Sequence, residues 1–485
     1  MICISVAPQS RTLAKVDLLN ASRQGDMVEL CLDHLVKEPD IGEMLHGAAK
    51  PVLVSCRRAK DGGYYHGEEQ HRVTLLRQAI VSGPQYVELD LDIAPSIPRF
   101  GKTQRVVSVT RFDEPIEDVE PLIDAAVKAQ ADVFKLTGTA QSLETAWPLL
   151  RAMSEKRALP VLTVAIGRAA TMVALVACKC GAPWTYAALE RGLEAFPGQP
   201  TIDELRDVYR YQAINAKTRF VGILGFKGSP EKTTVNLLNT AFQKRGLRQL
   251  CLPIPVEELE GLTKQLKRLK IRAALSSPDL GSELIEVADR AVGSAEPSGY
   301  ADLILRQPDG WEAYNTIWRH ALYATEEKLG KKDEDDRPLD RRNVLVIGTG
   351  GMARAFIHGV ERRSGIVSIT GANDKAAQKL AQQFKVRHVP YQNLYDTLAD
   401  VVVITDPAIS LGSKKTDLNP SYFRSTMTVV DMGAMPEDTE LLRECRQRGC
   451  KVVEPRDVFQ GYLTAQFESI TGKTMPPEAF DSLNA

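Results

Sequence analysis

Eight short apolar, β-branched runs recur through the first 215 residues, each followed by a longer stretch with helical periodicity. They are Ile2–Ala7, Val28–Leu32, Val52–Cys56, Tyr86–Leu91, Val106–Val109, Val133–Leu136, Val161–Ile166 and a weaker one near Trp184–Ala187. A spacing of roughly 20 to 30 residues suits strand–helix units, whose helices carry the chain back so that successive strands run parallel. Eight such units predict a closed (β/α)8 barrel. A doubly wound sheet is the competing arrangement.

A second series of alternations opens at Phe220-Val221-Gly222-Ile223-Leu224-Gly225 and runs through Gln249–Val256 and Ile271–Ser277 to a helical segment, Asn315–Lys328. Next comes Lys331-Lys332-Asp333-Glu334-Asp335-Asp336-Arg337-Pro338, a charged run closed by proline that reads as a solvated connector. Beyond it, Asn343–Ile347 reads as a buried parallel strand, followed by the turn Gly348-Thr349-Gly350-Gly351 and a helix over 352–363. Further strands at Ile366–Thr370, Asp400–Thr405, Met427–Asp431 and Lys451–Val453 complete a doubly wound pattern, and a final helix spans Val458–Thr471. The expected fold class is therefore α/β, with a barrel over 1–215, an α/β substrate-binding domain over 218–330 and a Rossmann-like dinucleotide-binding domain over 338–485.

A net charge of −1 and 25% charged residues give nucleic acid and membranes no surface to recognise. The N-terminus lacks a basic leader and reads as a first strand, and the scattered cysteines form no C-x-x-C. A reduced, cytoplasmic chain with no metal site is expected, acting on a small molecule. Its oligomeric state stays open.

The glycine turn has the clearest mechanics. Glycines let the backbone approach a pyrophosphate, and the following helix presents free N–H groups to it. Gly348, Thr349, Gly350, Gly351, Met352, Ala353 and Arg354 are the candidate cofactor-binding residues. Thr370-Gly371-Ala372-Asn373 ends the second strand without an acid for a ribose hydroxyl or an arginine for a 2′-phosphate, so NADP and NAD both stand, with a lean to NADP. Lys135, inside Asp132-Val133-Phe134-Lys135-Leu136, is the second signal. Buried in a barrel strand, it would lose solvation, its pKa would fall, and the neutral amine would attack a carbonyl to form a Schiff base. Facing outward, its stem would simply cover a helix. Alternation leaves both readings open. Glu29, Arg57, Asp90, Asp92 and Arg111 fall at the C-terminal strand ends, where barrel chemistry sits, and outline a pocket for an anionic, hydroxylated ligand.

These residues resemble a known pair of families. Val28-Glu29-Leu30-Cys31-Leu32-Asp33, Ser55-Cys56-Arg57 with Asp61-Gly62-Gly63, Ala131-Asp132-Val133-Phe134-Lys135 and Phe196-Pro197-Gly198-Gln199 are similar to type I 3-dehydroquinate dehydratase. Val221–Gly225, Tyr314-Asn315-Thr316, the glycine turn through Ala355, and Gln466-Phe467 before Thr471-Gly472 are similar to shikimate dehydrogenase. The order is that of the fused bifunctional enzyme. The resemblance implies Lys135 as the Schiff-base lysine, with Glu29, Arg57, Asp90 and Gln199 around the substrate, and Ser276 and Asn315 at the second substrate.

Several positions depart from the family pattern. The dehydratase histidine falls at Thr110, and an arginine beside the strand-two glutamate at Cys31. The strand-four glutamate falls at Asp90 and a substrate-carboxylate arginine at Ala174, with Arg168 or Arg111 as possible replacement charges. In the dehydrogenase half, the catalytic lysine falls at Leu280, its partner aspartate at Ile317, and the last-helix glutamine at Tyr462, with Gln460 nearby. The substrate-holding serines are replaced near Lys232-Thr233-Thr234-Val235. Three functions follow: a working shikimate-pathway enzyme, a diverged Schiff-base or dinucleotide enzyme, and a non-catalytic ligand-binding protein.

Overall fold

The structure, a computed structural model, describes all residues except 37–39, 47, 113–115, 117, 226–227, 257, 334, 413–416 and 485. Glu334 of the charged run thus lies outside the described residues. The chain forms two compact units, Met1–Arg219 with Arg248–Glu257, and Phe220–Leu247 with Glu258–Ala485.

In the first unit the strands are β1 (Ile2–Val6), β2 (Met27–Cys31), β3 (Val52–Ser55), β4 (Tyr86–Asp90), β5 (Gln104–Arg111), β6 (Val133–Thr139), β7 (Val161–Ile166) and β8 (Thr185–Ala188). They form one parallel sheet in the order β7-β6-β5-β4-β3-β2-β1-β8. A doubly wound sheet would reverse its strand order at a switch point. Here β1 to β7 follow one another in sequence order and β1 pairs with β8, which is the topology of the near-closed barrel. The β-branched runs suit strands buried on both faces. Inward side chains pack as Cys3, Met27, Leu53, Val106, Val133, Leu162, Trp184 and Tyr186, closing the lower barrel. Each fully buried aliphatic side chain there contributes about 1.5–3 kcal/mol. The following helices are punctuated locally. Leu143–Ser154 opens on a capping box between Ser142 and Thr145, and Ala170–Cys180 stops at Gly181, whose φ of 85° favours glycine. This unit also takes in β10 (Gln249–Ile254).

The second unit carries two sheets. In the first, β9 (Arg219–Leu224), β11 (Ala273–Ser276), β12 (Arg290–Ala291), β13 (Leu303–Gln307) and β14 (Gly310–Tyr314) run in the order β9-β11-β13-β14-β12. The β13–β14 hairpin is antiparallel, so this sheet is mixed. In the second, β15 (Asn343–Ile347), β16 (Ile366–Thr370), β17 (Arg387–His388), β18 (Val401–Ile404), β19 (Thr428–Asp431) and β20 (Lys451–Val453) run in the order β17-β16-β15-β18-β19-β20. All the pairings are parallel, and the order reverses at β15, as a dinucleotide-binding sheet requires.

The charged run starts differently from expectation. Lys331 Nζ donates to Glu326 Oε2 at 3.1 Å, and Arg363 Nε donates to Glu326 Oε1 at 2.8 Å. Glu326 is buried, so its charge requires these partners and draws the first lysine of the run out of solvent. The last helix, Pro455–Thr471, packs on the helix Ile317–Leu329, where Gly461 lies against His320.

Candidate active sites

Strand β6 carries Lys135 in register with Ser108 on β5 and Leu162 on β7. Its side chain points into the barrel and is 4% exposed. Nζ donates to Glu88 Oε2 at 2.8 Å and lies 4.7 Å from the centre of the Tyr186 ring. Burial pulls the Lys135 pKa down, but Glu88 and Glu29 together outweigh it, and the ammonium is held above its ordinary value. The expected fall in pKa is therefore corrected: the lysine is desolvated, but among acids.

Glu29 on β2 is also buried. Its Oε2 accepts from Ser5 Oγ at 2.8 Å, and Ser5 Oγ in turn accepts from Gln199 Nε2 at 3.2 Å. Gln199 is fixed by accepting from the Ala195 N–H at 2.7 Å. Burial works against the Glu29 carboxylate, yet Lys135, Arg57 and Ser5 bring its pKa below the ordinary value. Asp33 Oδ1 accepts from the Arg57 N–H at 3.2 Å and Oδ2 from the Tyr64 N–H at 3.0 Å, tying together the loops after β2 and β3. The Arg57 guanidinium lies 3.6 Å from Cys31 Sγ, and its Nε is buried without a hydrogen-bond partner among the described residues. Burial lowers the Arg57 pKa, but Cys31, Glu29, Asp33 and Glu88 raise it overall, so it stays a cation. Lys135 and Arg57 thus face Glu29 and Glu88 in a cluster of balanced charge, the condition under which buried ions are tolerated.

Asp90 does not join this cluster. It is bridged to Arg72 at 2.7 Å and Arg58 at 3.5 Å, and Arg58 also takes Asp92 at 2.8 Å. The acid beside Lys135 is Glu88, which sequence reasoning missed. Its signal was available, because the two-residue period of β4 puts Glu88 and Asp90 on one face. Ser5, Asp33 and Tyr186 were missed as well. Thr110 and Arg111 end β5, and Arg168 follows β7. Ala174 is buried in the helix Ala170–Cys180 and offers no charge.

In the second unit, β15 leads into the glycine turn and the helix Gly351–Glu361. Gly348 has φ 132°, and a Cβ there would lie 2.3 Å from Thr405 Oγ1. At Gly351 a Cβ would lie 2.3 Å from the Tyr300 ring. Gly350, the N-cap, differs: a Cβ would meet nothing within 4 Å, and no side chain caps the helix. Open space in front of free helical N–H groups fits a phosphate. Thr349 borders Gly371 across the turn. Met352 and Ala353 are buried, and Arg354 Nη1 donates to Gln383 Oε1 at 2.7 Å, so their side chains serve packing and a surface bond. Asn373 caps the next helix through the Ala376 N–H at 3.1 Å.

The second substrate positions lie in the mixed-sheet part. Ser276 Oγ donates to the Ala301 carbonyl at 3.4 Å, and Asn315 Nδ2 donates to Ser298 Oγ at 3.0 Å, leaving Asn315 Oδ1 buried without a partner among the described residues. Leu280 packs against Gly225. The Ile317 N–H donates to Asp302 Oδ2 at 3.0 Å, and Asp302 also accepts from the Thr316 N–H at 3.0 Å, Thr316 Oγ1 at 2.7 Å and Gln466 Nε2 at 3.4 Å. Burial pushes the Asp302 pKa up to about 6 against these bonds. An acid inside the apolar run Tyr300–Ile304 was the overlooked signal, and Gln466 reaches it where sequence spacing pointed to Tyr462.

Comparisons with known proteins follow the same division. The model of the type I 3-dehydroquinase family matches residues 2–216. The bifunctional 3-dehydroquinate dehydratase/shikimate dehydrogenase of Arabidopsis thaliana chloroplasts is 24% identical over 99% of this chain and 83% of its own. The shikimate dehydrogenase (NADP(+)) of Aquifex aeolicus is 25% identical over 51% of this chain and 90% of its own. Among solved structures, the dehydroquinate dehydratase and shikimate dehydrogenase from S. pombe AroM covers 100% of this chain and 98% of its own, with 18% identity and a TM-score of 0.42. Residues 2–216 thus match the type I 3-dehydroquinase model, and the chain from end to end is similar to the fused bifunctional 3-dehydroquinate dehydratase/shikimate dehydrogenase.

Proposed function

We propose that the barrel dehydrates 3-dehydroquinate through an imine on Lys135, and that the second unit binds NADP at Gly348–Gly351. The buried pair of Lys135 Nζ and Glu88 Oε2, 2.8 Å apart, carries the first reading. An ammonium cannot attack a ketone, so Glu88 first takes a proton from Nζ. The freed amine adds to the carbonyl carbon, and loss of water leaves an iminium. The iminium withdraws electrons from the neighbouring C–H bond, whose proton passes to the Glu88 carboxylate, free again once the proton it took from Nζ has left in the first water. The β-hydroxyl then departs with that proton as a second water, leaving the C=C bond. Arg57 offers its guanidinium to the substrate carboxylate. Glu29, braced by Ser5 and Gln199, holds substrate hydroxyls.

The residues of the second unit fit a dinucleotide. Gly350 leaves the phosphate space, and Gly348 and Gly351 let the turn close behind it. NADP bound here would supply hydride chemistry for the reduction of 3-dehydroshikimate. Residues 218–330 would then hold that substrate, through Ser276 and Asn315, and 338–485 the nucleotide. A binding-only role for this half is the second reading, favoured by Leu280 and Ile317, neither of which moves a proton. All eight cysteines are free thiols, which suits the proposed cytoplasmic setting.

Separate assays on the full-length chain test both halves. Dehydration of 3-dehydroquinate is expected, and its loss in Lys135→Ala. Reduction of 3-dehydroshikimate at a rate comparable to dehydration would overturn the binding-only reading. A folded chain that leaves 3-dehydroquinate unchanged would overturn the barrel assignment.

A further inference from the structure

The proposed reaction lacks a proton donor at the carbonyl oxygen, because the position expected for histidine is Thr110. Tyr186, on β8, has a side chain that reaches into the same buried cluster. It is 3% exposed, its ring lies under Lys135 Nζ, and its hydroxyl is buried with no hydrogen-bond acceptor among the described residues. Trp184 Nε1 lies close to it but can only donate, so the phenol's own hydrogen is left without an acceptor among the described residues. Leaving a polar group buried and unpaired costs free energy that a phenylalanine of the same shape would not incur. The charged and titratable groups facing the hydroxyl are Glu29 from β2, Glu88 from β4, Cys3 from β1 and Lys135 from β6.

Resting on the imine reading above, we propose that Tyr186 is the proton donor of imine formation, giving its hydroxyl hydrogen to the oxygen of the ketone that Lys135 attacks. The C–N bond forms as the carbonyl π pair moves to oxygen, which takes the Tyr186 proton. The phenolate then recovers a proton from the new C–N⁺ centre. In the second stage Tyr186 protonates the carbinolamine hydroxyl, the C–O bond breaks, and the nitrogen lone pair closes the C=N bond. Glu88 returns the proton it first took from the ammonium, restoring the phenol. Of the ammonium's hydrogens, one stays on nitrogen and the others leave in water. Burial and the two carboxylates hold the phenol well above its ordinary pKa, so it waits as a neutral donor.

The test is Tyr186→Phe in the full-length chain, with 3-dehydroquinate as probe and borohydride to trap the imine. The variant keeps the ring beneath Lys135, and its melting temperature is expected to equal or exceed that of the parent. Its rate of trapping at Lys135 is expected to fall by about 10²–10⁴-fold, the range of a lost general acid. A second variant carries 3,5-difluorotyrosine at 186, whose lower phenol pKa is expected to move the alkaline limb of the trapping rate to lower pH. A tyrosine that only packs would leave that limb in place. Parental trapping rates in Tyr186→Phe overturn the inference and leave the imine reading standing. No trapping in the folded parent overturns both.

Discussion

At Lys135, loss of water and two carboxylates pull the ammonium in opposite directions, and the carboxylates win. The sign matters for stability as well as reaction. A folded-state pKa above the unfolded value gives stabilisation that is complete below about pH 10 and is lost as pH rises through the folded value. Replacing Glu88 with Gln removes the largest favourable charge, so the Lys135 titration moves to lower pH, measurable from the pH dependence of amine alkylation. Breaking a buried pair in this way is expected to cost about 3–5 kcal/mol in denaturant unfolding. An unchanged titration would show that Glu88 is not the lysine's proton partner. Asp302 has the opposite linkage. Its pKa is raised to about 6 when folded, so it favours the folded state only while protonated. Relative to Asp302→Asn, the parent should lose about 2 kcal/mol between pH 4 and pH 7. A difference that is flat with pH would place the Asp302 pKa in the ordinary range.

Elements were more legible in the sequence than the contacts made on them. The barrel strands are read from β-branched runs at βα spacing because each is buried on both faces, and burial writes itself as an unbroken apolar run. The hairpin of β13 and β14 escaped, although Gln307-Pro308-Asp309-Gly310 carries a turn signal, because Arg306, Gln307 and Glu312 interrupt the apolar pattern around it. Within the barrel cluster, Lys135, Glu29, Arg57 and Gln199 are marked in the sequence by type and position and Glu88 by the period of β4, whereas nothing local marks Tyr186. Which side chain meets the lysine depends on the depth at which neighbouring strands are staggered, and no local pattern records stagger. The glycine turn separates folding from binding. Gly351→Ala drives a methyl into the Tyr300 ring and is expected to cost about 1–3 kcal/mol. Gly350→Ala meets open space, so its unfolding midpoint should hold while calorimetry with NADP shows binding at least about tenfold weaker, or about 1.4 kcal/mol. Unchanged NADP affinity in Gly350→Ala would make the turn structural only.

Across the whole chain the proposed chemistry rests unequally on the two units. On the proposed reading the barrel has a buried lysine, paired acids and Arg57, with Thr110 and Ala174 where the resemblance implies a histidine and an arginine, while the second unit has a glycine turn suited to a nucleotide and apolar Leu280 and Ile317 where the resemblance implies proton-transfer groups. Dehydration is therefore expected to survive better than reduction. Restoring the missing groups tests this asymmetry: Leu280→Lys with Ile317→Asp should raise 3-dehydroshikimate reduction above that of the parent. Ile317 is buried beside Asp302, so Ile317→Asp alone brings two carboxylates together and should lower stability. A parent that already reduces 3-dehydroshikimate faster than the double variant would contradict the asymmetry.

The central claim is that Lys135 is a carbonyl-trapping amine at the heart of the barrel. Peptide mass mapping of the full-length chain after incubation with 3-dehydroquinate and borohydride tests it most directly. The prediction is a covalent adduct on the peptide containing Lys135, absent when borohydride or substrate is left out. An unmodified Lys135 in a folded chain, or an adduct confined to other lysines, would contradict it.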